Sequence, residues 1–192
     1  LTAAAGQNPA RQAAVKAGIP INKAAYVVNQ VCGSGLRSIA LGYQTILSND
    51  AKIVVAGGQE SMSNAPHAIN FRKNKKIEKS QLIDTMIKDG LWDAFNGYHM
   101  GKTAENVANK WQITRKDQDE FALLSQIKTE KALKKGKFNN EIVPIALKSK
   151  YKKNVFKVDE HPRTGMTIET LHRLKPIFKN HGTVTAGNSS GI

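Results

Sequence analysis

Residues 24–58 read AAYVVNQVCGSGLRSIALGYQTILSNDAKIVVAGG, and this stretch decides the fold. Two β-rich runs, 24–31 and 52–56, flank a segment whose apolar residues recur every three or four positions. Those apolar residues are Leu36, Ile39, Ala40, Tyr43, Ile46 and Leu47. This spacing predicts one face of a helix. The order strand, helix, strand predicts a parallel sheet with a crossover helix, and therefore an α/β fold.

The only cysteine, Cys32, lies between the first apolar run and the predicted helix. Gly33 and Gly35 permit a sharp turn there. The free amides and partial positive charge at a helix N-terminus favour the thiolate, the nucleophilic form of cysteine. The arrangement is typical of a nucleophile elbow, a strained turn that exposes a reactive side chain. A small, buried, inert cysteine fits the local pattern equally well, so the residues alone leave both interpretations open.

The remainder of the chain differs from this stretch in amino-acid composition and in its predicted elements. Residues 66–100 mix Pro, Asn, Gly and Lys, which predicts a loop-rich excursion. Thr114, with Asp117 three residues on, predicts a capping box for a long helix that ends at Gly136. Further elements are predicted as helices over 103–111 and 167–174 and as strands over 141–147 and 154–158.

Bulk composition excludes several classes of protein. With 40% hydrophobic and 23% charged residues among 192, the chain is typical of a globular protein. No apolar run approaches the length of a membrane span, so no membrane-embedded segment is expected. A single cysteine cannot form an internal disulfide and fits no zinc pattern. We therefore expect a cytoplasmic protein without a bound metal.

A formal net charge of +14 raises the question of an anionic partner. Lysines cluster at 72–79, 131–137 and 148–157, with few aromatics between them and no recognisable nucleic-acid motif. This pattern favours solvated surfaces with some attraction for phosphate, and no nucleic-acid partner is expected. A non-catalytic basic module that binds nucleic acid remains the alternative from another class, and it would lose affinity steeply with added salt.

Five segments, in order, resemble thiolases. NQVCGSGLR at 29–37 resembles the nucleophile segment of that family, and VAGGQESMS at 55–63, continued by Ala65, Pro66 and His67, resembles the following strand and turn. The other three are DTMIKDGL at 84–91, GYHMGKTAEN at 97–106 and GTVTAGNSSGI at 182–192.

The resemblance implies a duplicated α/β architecture, of which this chain supplies part of the N-terminal sheet-and-helix half and its inserted loop domain. The expected division is an N-terminal core with the nucleophile at 1–61, a loop domain that binds coenzyme A at 62–179, and a return to the core at 180–192.

The activity implied is acyl-CoA C-acyl transfer, in which two acetyl-CoA give acetoacetyl-CoA, or the reverse thiolysis, through an acyl group on Cys32. The GYHMG segment and the Lys-rich stretch after Pro66 favour the biosynthetic branch, and a degradative 3-oxoacyl-CoA thiolase is the alternative. A β-ketoacyl synthase fits VCGSG less well, and a degenerate remnant that retains only coenzyme A contacts remains open. Coenzyme A thioesters are substrates, no separate cofactor is implied, and the full-length protein is expected to be a homodimer or homotetramer.

The resemblance also carries coenzyme A contacts onto this chain. Arg163 offers a charged fork for the nucleotide end, while His99 and Ser190 offer polar contacts along the pantetheine arm. Apolar walls would come from Leu91, Met100 and Phe178. The full set is Leu91, His99, Met100, Arg163, Phe178, Ala186 and Ser190. Without the resemblance, core packing would explain the apolar members and a solvated surface the polar ones.

Two catalytic groups of the family have no counterpart in this sequence. A thiolase uses a second cysteine from a CxG motif and a histidine from a GHP-type motif. The chain has one cysteine, and His161-Pro162 follows Asp159-Glu160 instead of glycine. We therefore expect this chain to be part of a longer protein and to have no appreciable turnover alone.

Overall fold

The computed structural model describes residues 1–72, 82–147 and 154–192. The chain divides into two compact units, Leu1–Trp92 and Asp93–Ile192, which are described separately. Most of the lysine clusters at 72–79 and 148–157 lies outside the described residues. The helices are α1 Pro9–Lys16, α2 Ser34–Leu47, α3 Met100–Lys110, α4 Arg115–Lys134 and α5 Ile168–His172. The strands are β1 His67–Ala68, β2 Ile83–Asp84, β3 Trp92–Asp93, β4 Tyr98–His99, β5 Ile145–Leu147 and β6 Asn154–Phe156.

Helix α2 confirms the helix predicted from the apolar spacing. Its one buried residue is Gly42, where an added Cβ would lie 3.0 Å from Cγ1 of Val54. The Ser38 hydroxyl donates to the carbonyl of Gly57 at 2.9 Å. The run 52–56 therefore lies against α2, but the predicted parallel sheet of 24–31 and 52–56 does not form in the described residues.

The two predicted strands at 24–31 and 52–56 were wrong as secondary structure. In the described part of the chain neither run forms a strand. Gln30 makes an isolated β-bridge to Cys32, two residues further on. A β-rich run becomes a strand only when a neighbour lies about 4.8 Å away to complete its hydrogen bonds. No described segment supplies that neighbour, although the apolar composition suited to a buried strand is present.

The described parts of the stretch from 62 to 92, residues 62–72 and 82–92, are a succession of short elements, in agreement with the loop-rich prediction. A 3-10 turn, Met62–Asn64, precedes β1, which pairs antiparallel with β2 in the register His67 to Asp84. A π-helix, Met86–Leu91, follows. Helix α1 was not predicted, and its signal is Asn8 followed by Pro9: the Asn8 side chain accepts the Arg11 N–H at 3.1 Å.

The unit Asp93–Ile192 is built on α3 and α4. The capping box predicted at Thr114 is confirmed, since its hydroxyl accepts the Asp117 N–H at 3.1 Å and Asp117 accepts the Thr114 N–H at 2.9 Å. Gly136, at a φ of +63°, follows the end of α4 as predicted.

The other predicted strands and helices of this unit also form: α3 begins three residues earlier than predicted, and β5, β6 and α5 are shorter than predicted. Strands β5 and β6 pair antiparallel, and α5 begins after Thr167. Leu171 and Val184 are buried in the core of the unit. In the three described ranges, none of the helices has the length and apolar character needed to cross a membrane.

Candidate functional site

The turn that carries Cys32 is strained and presents the cysteine to solvent. Val31 adopts a φ of +49°, a left-handed conformation that is rare for a β-branched residue. The Gly33 N–H donates to the Gln30 carbonyl at 3.0 Å, and the Ser34 hydroxyl donates to the Val31 carbonyl at 2.6 Å. These bonds hold the backbone in the tight turn predicted for a nucleophile elbow. Cys32 is exposed.

Helix α2 begins two residues after Cys32. The residue that precedes the helix, Gly33, has no side chain that could cap it. The first turn carries no acidic side chain. The partial positive charge of this helix end is therefore not offset locally by a carboxylate. An anionic sulfur or oxygen next to Cys32 would be stabilised by it.

Three of the residues expected to contact coenzyme A lie together at the start of α3. The rings of His99 and Phe178 are stacked, with centroids 4.8 Å apart and planes at 21°. Nδ1 of His99 accepts the Gly101 N–H at 3.0 Å, so Nε2 is the ring nitrogen that can donate to a ligand. Gly101 is needed here because a Cβ would collide with the Phe178 ring. Met100 is the first residue of α3.

Arg163 lies in an irregular loop that α4 holds by two side chains one turn apart. Oε1 of Gln126 accepts the Arg163 N–H at 3.0 Å, and Oε2 of Glu130 accepts the Gly165 N–H at 3.2 Å. Arg163 is itself an exposed residue. The backbone of this loop is therefore fixed while the charged group remains available to a ligand.

The segment 182–190, which carries Ala186 and Ser190, contains no helix or strand and is held by a buried carboxylate of α3. Glu105, 5% exposed, accepts the Thr183 N–H at 2.8 Å, the Val184 N–H at 2.8 Å and the Thr183 hydroxyl at 3.1 Å. Burial alone would raise the pKa of Glu105. The amides of Val184 and Thr183, the Thr183 hydroxyl and the Lys179 ammonium together hold that pKa below its ordinary value.

A second buried carboxylate, from α4, fixes the same segment. Asp119 is fully buried, and it accepts Nε of Arg115 at 2.8 Å and Nδ2 of Asn188 at 2.9 Å. The Asn188 amide also donates to the Thr183 carbonyl at 3.0 Å and accepts the Thr185 N–H at 2.7 Å. Asn188 is thus the central hydrogen-bonding residue of the segment.

The structure brings His99, Met100 and Phe178 together, and it places Arg163, Ala186 and Ser190 on loops of the same unit. Leu91, half-buried at the end of the π-helix, and Cys32 belong to the unit Leu1–Trp92. Sequence reasoning assigned no role to the residues that hold these loops: Glu105, Arg115, Asp119, Gln126, Glu130 and Asn188. The available signal was the Arg115 and Asp119 pair at i and i+4. Among the described residues, no group of three or more His, Cys, Asp or Glu could hold a metal ion.

The fold thus places an exposed cysteine on a strained turn that leads into a helix. Residues 1–192 match the family model described as the thiolase N-terminal domain, and the chain belongs to the thiolase family.

Relatives and solved structures agree with this assignment. The chain is 59% identical over 192 residues to an acetyl-CoA acetyltransferase of Paracoccus denitrificans, a match that covers all of this chain and 49% of the relative. It is 57% identical to an acetyl-CoA acetyltransferase of Rhizobium meliloti over the same share of each chain. A crystal structure of the Bacillus anthracis acetyl-CoA acetyltransferase matches with a TM-score of 0.92 and 40% identity, over 98% of this chain and 48% of that one. The expected fold, an N-terminal portion of a thiolase, is confirmed, and the chain spans about half the length of the relatives it matches.

Proposed function

We propose that the complete protein is an acetyl-CoA C-acetyltransferase that condenses two acetyl-CoA into acetoacetyl-CoA or catalyses the reverse thiolysis. The observation that carries the proposal is an exposed Cys32 on a strained turn, two residues before an uncapped helix, in a chain similar throughout to acetyl-CoA acetyltransferases. The chain itself would supply the nucleophile and the coenzyme A contacts.

The first half-reaction would be acyl transfer to the sulfur of Cys32. Its thiolate attacks the thioester carbonyl of acetyl-CoA, the carbon to coenzyme A sulfur bond breaks, and coenzyme A leaves as a thiol after taking a proton. The negative charge that develops on the carbonyl oxygen requires donors that are already in place. The backbone N–H of Cys32 and the N-terminal amides of α2 are the nearest candidates.

The second half-reaction would join two carbon atoms. A base removes a proton from the methyl group of a second acetyl-CoA, and the resulting carbanion attacks the acetyl group on Cys32, which releases the thiolate and acetoacetyl-CoA. The base, and the group that activates Cys32, would come from the remainder of the protein. For this reason we propose that the 192 residues alone do not turn over.

Coenzyme A would lie along the loops of the unit Asp93–Ile192. The Nε2–H of His99 would donate to a carbonyl of the pantetheine arm, and the stacked Phe178 would provide an apolar wall. The exposed Arg163 would pair with phosphate. Ala186 and Ser190, together with Met100 and Leu91, complete the proposed contacts.

Three further statements remain proposals. The division into 1–61, 62–179 and 180–192 rests on the resemblance, as does a homodimeric or homotetrameric assembly of the complete protein. A cytoplasmic location rests on the use of a single cysteine.

The test is acetylation of the complete protein by acetyl-CoA, followed by mass spectrometry of its peptides. We expect one acetyl group, on Cys32, and no acetylated species in a Cys32→Ala variant. Comparing thiolysis of acetoacetyl-CoA with that of a long-chain 3-oxoacyl-CoA would separate the biosynthetic from the degradative activity. Full thiolysis by the Cys32→Ala variant would refute the proposed nucleophile.

A further inference from the structure

The C-terminal end of α4 and the turn after it carry a dense group of cations, which we call the lysine surface. Residues 128–137 contain five lysines and one glutamate, a net charge of +4. All five lysines are exposed. They are Lys128, Lys131, Lys134, Lys135 and Lys137.

This surface continues directly into the loop of Arg163. Glu130 accepts the Gly165 N–H at 3.2 Å through one carboxylate oxygen and pairs with Nζ of Lys134 at 2.5 Å through the other. Lys131, Lys134 and Lys135 line a shallow groove together with Ile127 and Glu130. The exposed Arg163 therefore lies next to this groove, and no acidic side chain other than Glu130 occurs within 128–137.

Stabilisation of the helix does not explain so many cations. Lysines in the last turn interact favourably with the helix dipole, and Lys131 and Lys134 already occupy it. Lys128 lies farther from the C-terminus, and Lys135 and Lys137 follow the last helical residue. Neighbouring cations repel one another, so the group lowers stability unless an anion is attracted to it.

We propose that the lysine surface attracts the phosphates of coenzyme A and guides them to Arg163, which makes it a steering surface for the substrate. The inference rests on the proposed function. Coenzyme A carries about four negative charges at neutral pH on its diphosphate and its 3′-phosphate. A cluster of positive charges raises the association rate of such an anionic ligand. The effect decreases steeply as the ionic strength rises. Steering acts on association and leaves the chemical step unchanged.

The test uses charge reversal in the complete protein. Lys131→Glu combined with Lys135→Glu removes the net positive charge of the surface. The control, Lys110→Glu with Lys116→Glu, makes the same change in net charge, and Lys116 lies about 22 Å from Lys131 along α4. Lys110 and Lys116 are exposed, as are both test residues. Matching circular dichroism spectra and melting temperatures would establish that all proteins are folded.

The measurements are the association rate of coenzyme A by stopped flow and kcat/KM for acetoacetyl-CoA thiolysis, each over a range of salt. At low salt we expect the test variant to associate about three- to tenfold more slowly than the wild type, with kcat unchanged and a smaller salt slope. The difference should vanish at high salt. Dephospho-coenzyme A, which lacks the 3′-phosphate, should show a smaller effect.

The outcomes separate this inference from the proposed function. A wild type that turns over normally, with test and control variants indistinguishable in association rate, would overturn the steering surface alone. A wild type that neither binds coenzyme A nor turns over would overturn both. If a short oligonucleotide binds through the lysine surface while coenzyme A association is unaffected by the charge reversal, the surface serves nucleic acid instead.

Discussion

Replacing Glu105 by Gln should weaken the hydrogen bonds that hold the segment 182–190 against α3. The carboxylate accepts two amides and one hydroxyl from Thr183 and Val184, and it is 5% exposed. The glutamine side chain would keep the shape but offer one accepting oxygen, and its NH2 group would face donors. A hydrogen bond to a charged group contributes roughly 1.5–3 kcal/mol, and an unsatisfied buried donor adds a penalty of similar size. We therefore expect a loss of about 3 kcal/mol in the free energy of unfolding at neutral pH.

The same residue predicts a pH dependence with a definite sign. The pKa of Glu105 lies below its ordinary value in the folded chain, so its charged form favours the folded state. That contribution is complete above the ordinary pKa of 4.5 and is lost as the pH falls through the folded pKa. The difference between the wild type and Glu105→Gln should therefore be largest near neutrality and should narrow below pH 4.5.

Urea unfolding followed by far-ultraviolet circular dichroism, at several pH values, measures both effects. The matched control is Glu120→Gln, an acid on α4 whose side chain is 56% exposed and pairs only with Lys116 at 3.7 Å among the described residues. We expect the control to stay within about 0.5 kcal/mol of the wild type. Amide exchange at Val184 should accelerate in the Glu105 variant alone. A Glu105→Gln chain as stable as the control at neutral pH would refute the reasoning.

Three further substitutions test local features. Val31→Gly should raise the free energy of unfolding by about 1 kcal/mol in urea unfolding, because glycine adopts the observed positive φ without strain; a lower value would contradict the strain. Helix propensity alone would make Gly101→Ala stabilising, but we expect a lower melting temperature because the added Cβ collides with the Phe178 ring. An unchanged or higher melting temperature would contradict that packing. Thr114→Ala should cost about 1 kcal/mol in urea unfolding by removing the capping bond to Asp117, and a loss near zero would show that the cap is dispensable.

Helices α2 and α4 could be predicted because their signals are local. The apolar spacing gives α2, Thr114 and Asp117 give the start of α4, and Gly136 gives its end. Each signal involves residues at most four positions apart, where side chains on a helix meet. The tight turn at Cys32 could be predicted for the same reason, from the glycines that follow the cysteine. The positive φ of Val31 could not be predicted, because valine is among the residues least suited to that conformation.

The predicted strands at 141–147 and 154–158 form as β5 and β6, but the failure of 24–31 and 52–56 to form strands, and the hydrogen bonds that hold the loops, could not be predicted from local signals. A strand depends on a neighbour that can lie anywhere in the chain. The β-rich composition at 24–31 and 52–56 therefore indicates apolar segments but does not identify a strand that would pair with them. Likewise, Glu105 is 78 positions from Thr183, and Asp119 is 69 positions from Asn188. Motif resemblance included Glu105 and Asn188, and the structure shows that both side chains bond to the protein's own backbone and side chains.

The placement of acidic side chains gives α3 and α4 a common role, which is to fix the loops that carry the proposed coenzyme A contacts. Four candidate contacts, Arg163, Phe178, Ala186 and Ser190, lie outside regular helices and strands, where ligand-binding residues often occur. A loop binds precisely only if its backbone is fixed, and here the bonds that fix it are accepted by Glu105, Asp119, Gln126 and Glu130. The helices therefore need not touch the ligand to determine its affinity. Because the pKa values of two of these groups, Glu105 and Glu130, lie below the ordinary value in the folded chain, the proposed binding of coenzyme A, measured by calorimetry on the complete protein, should weaken in acid as these two carboxylates are protonated.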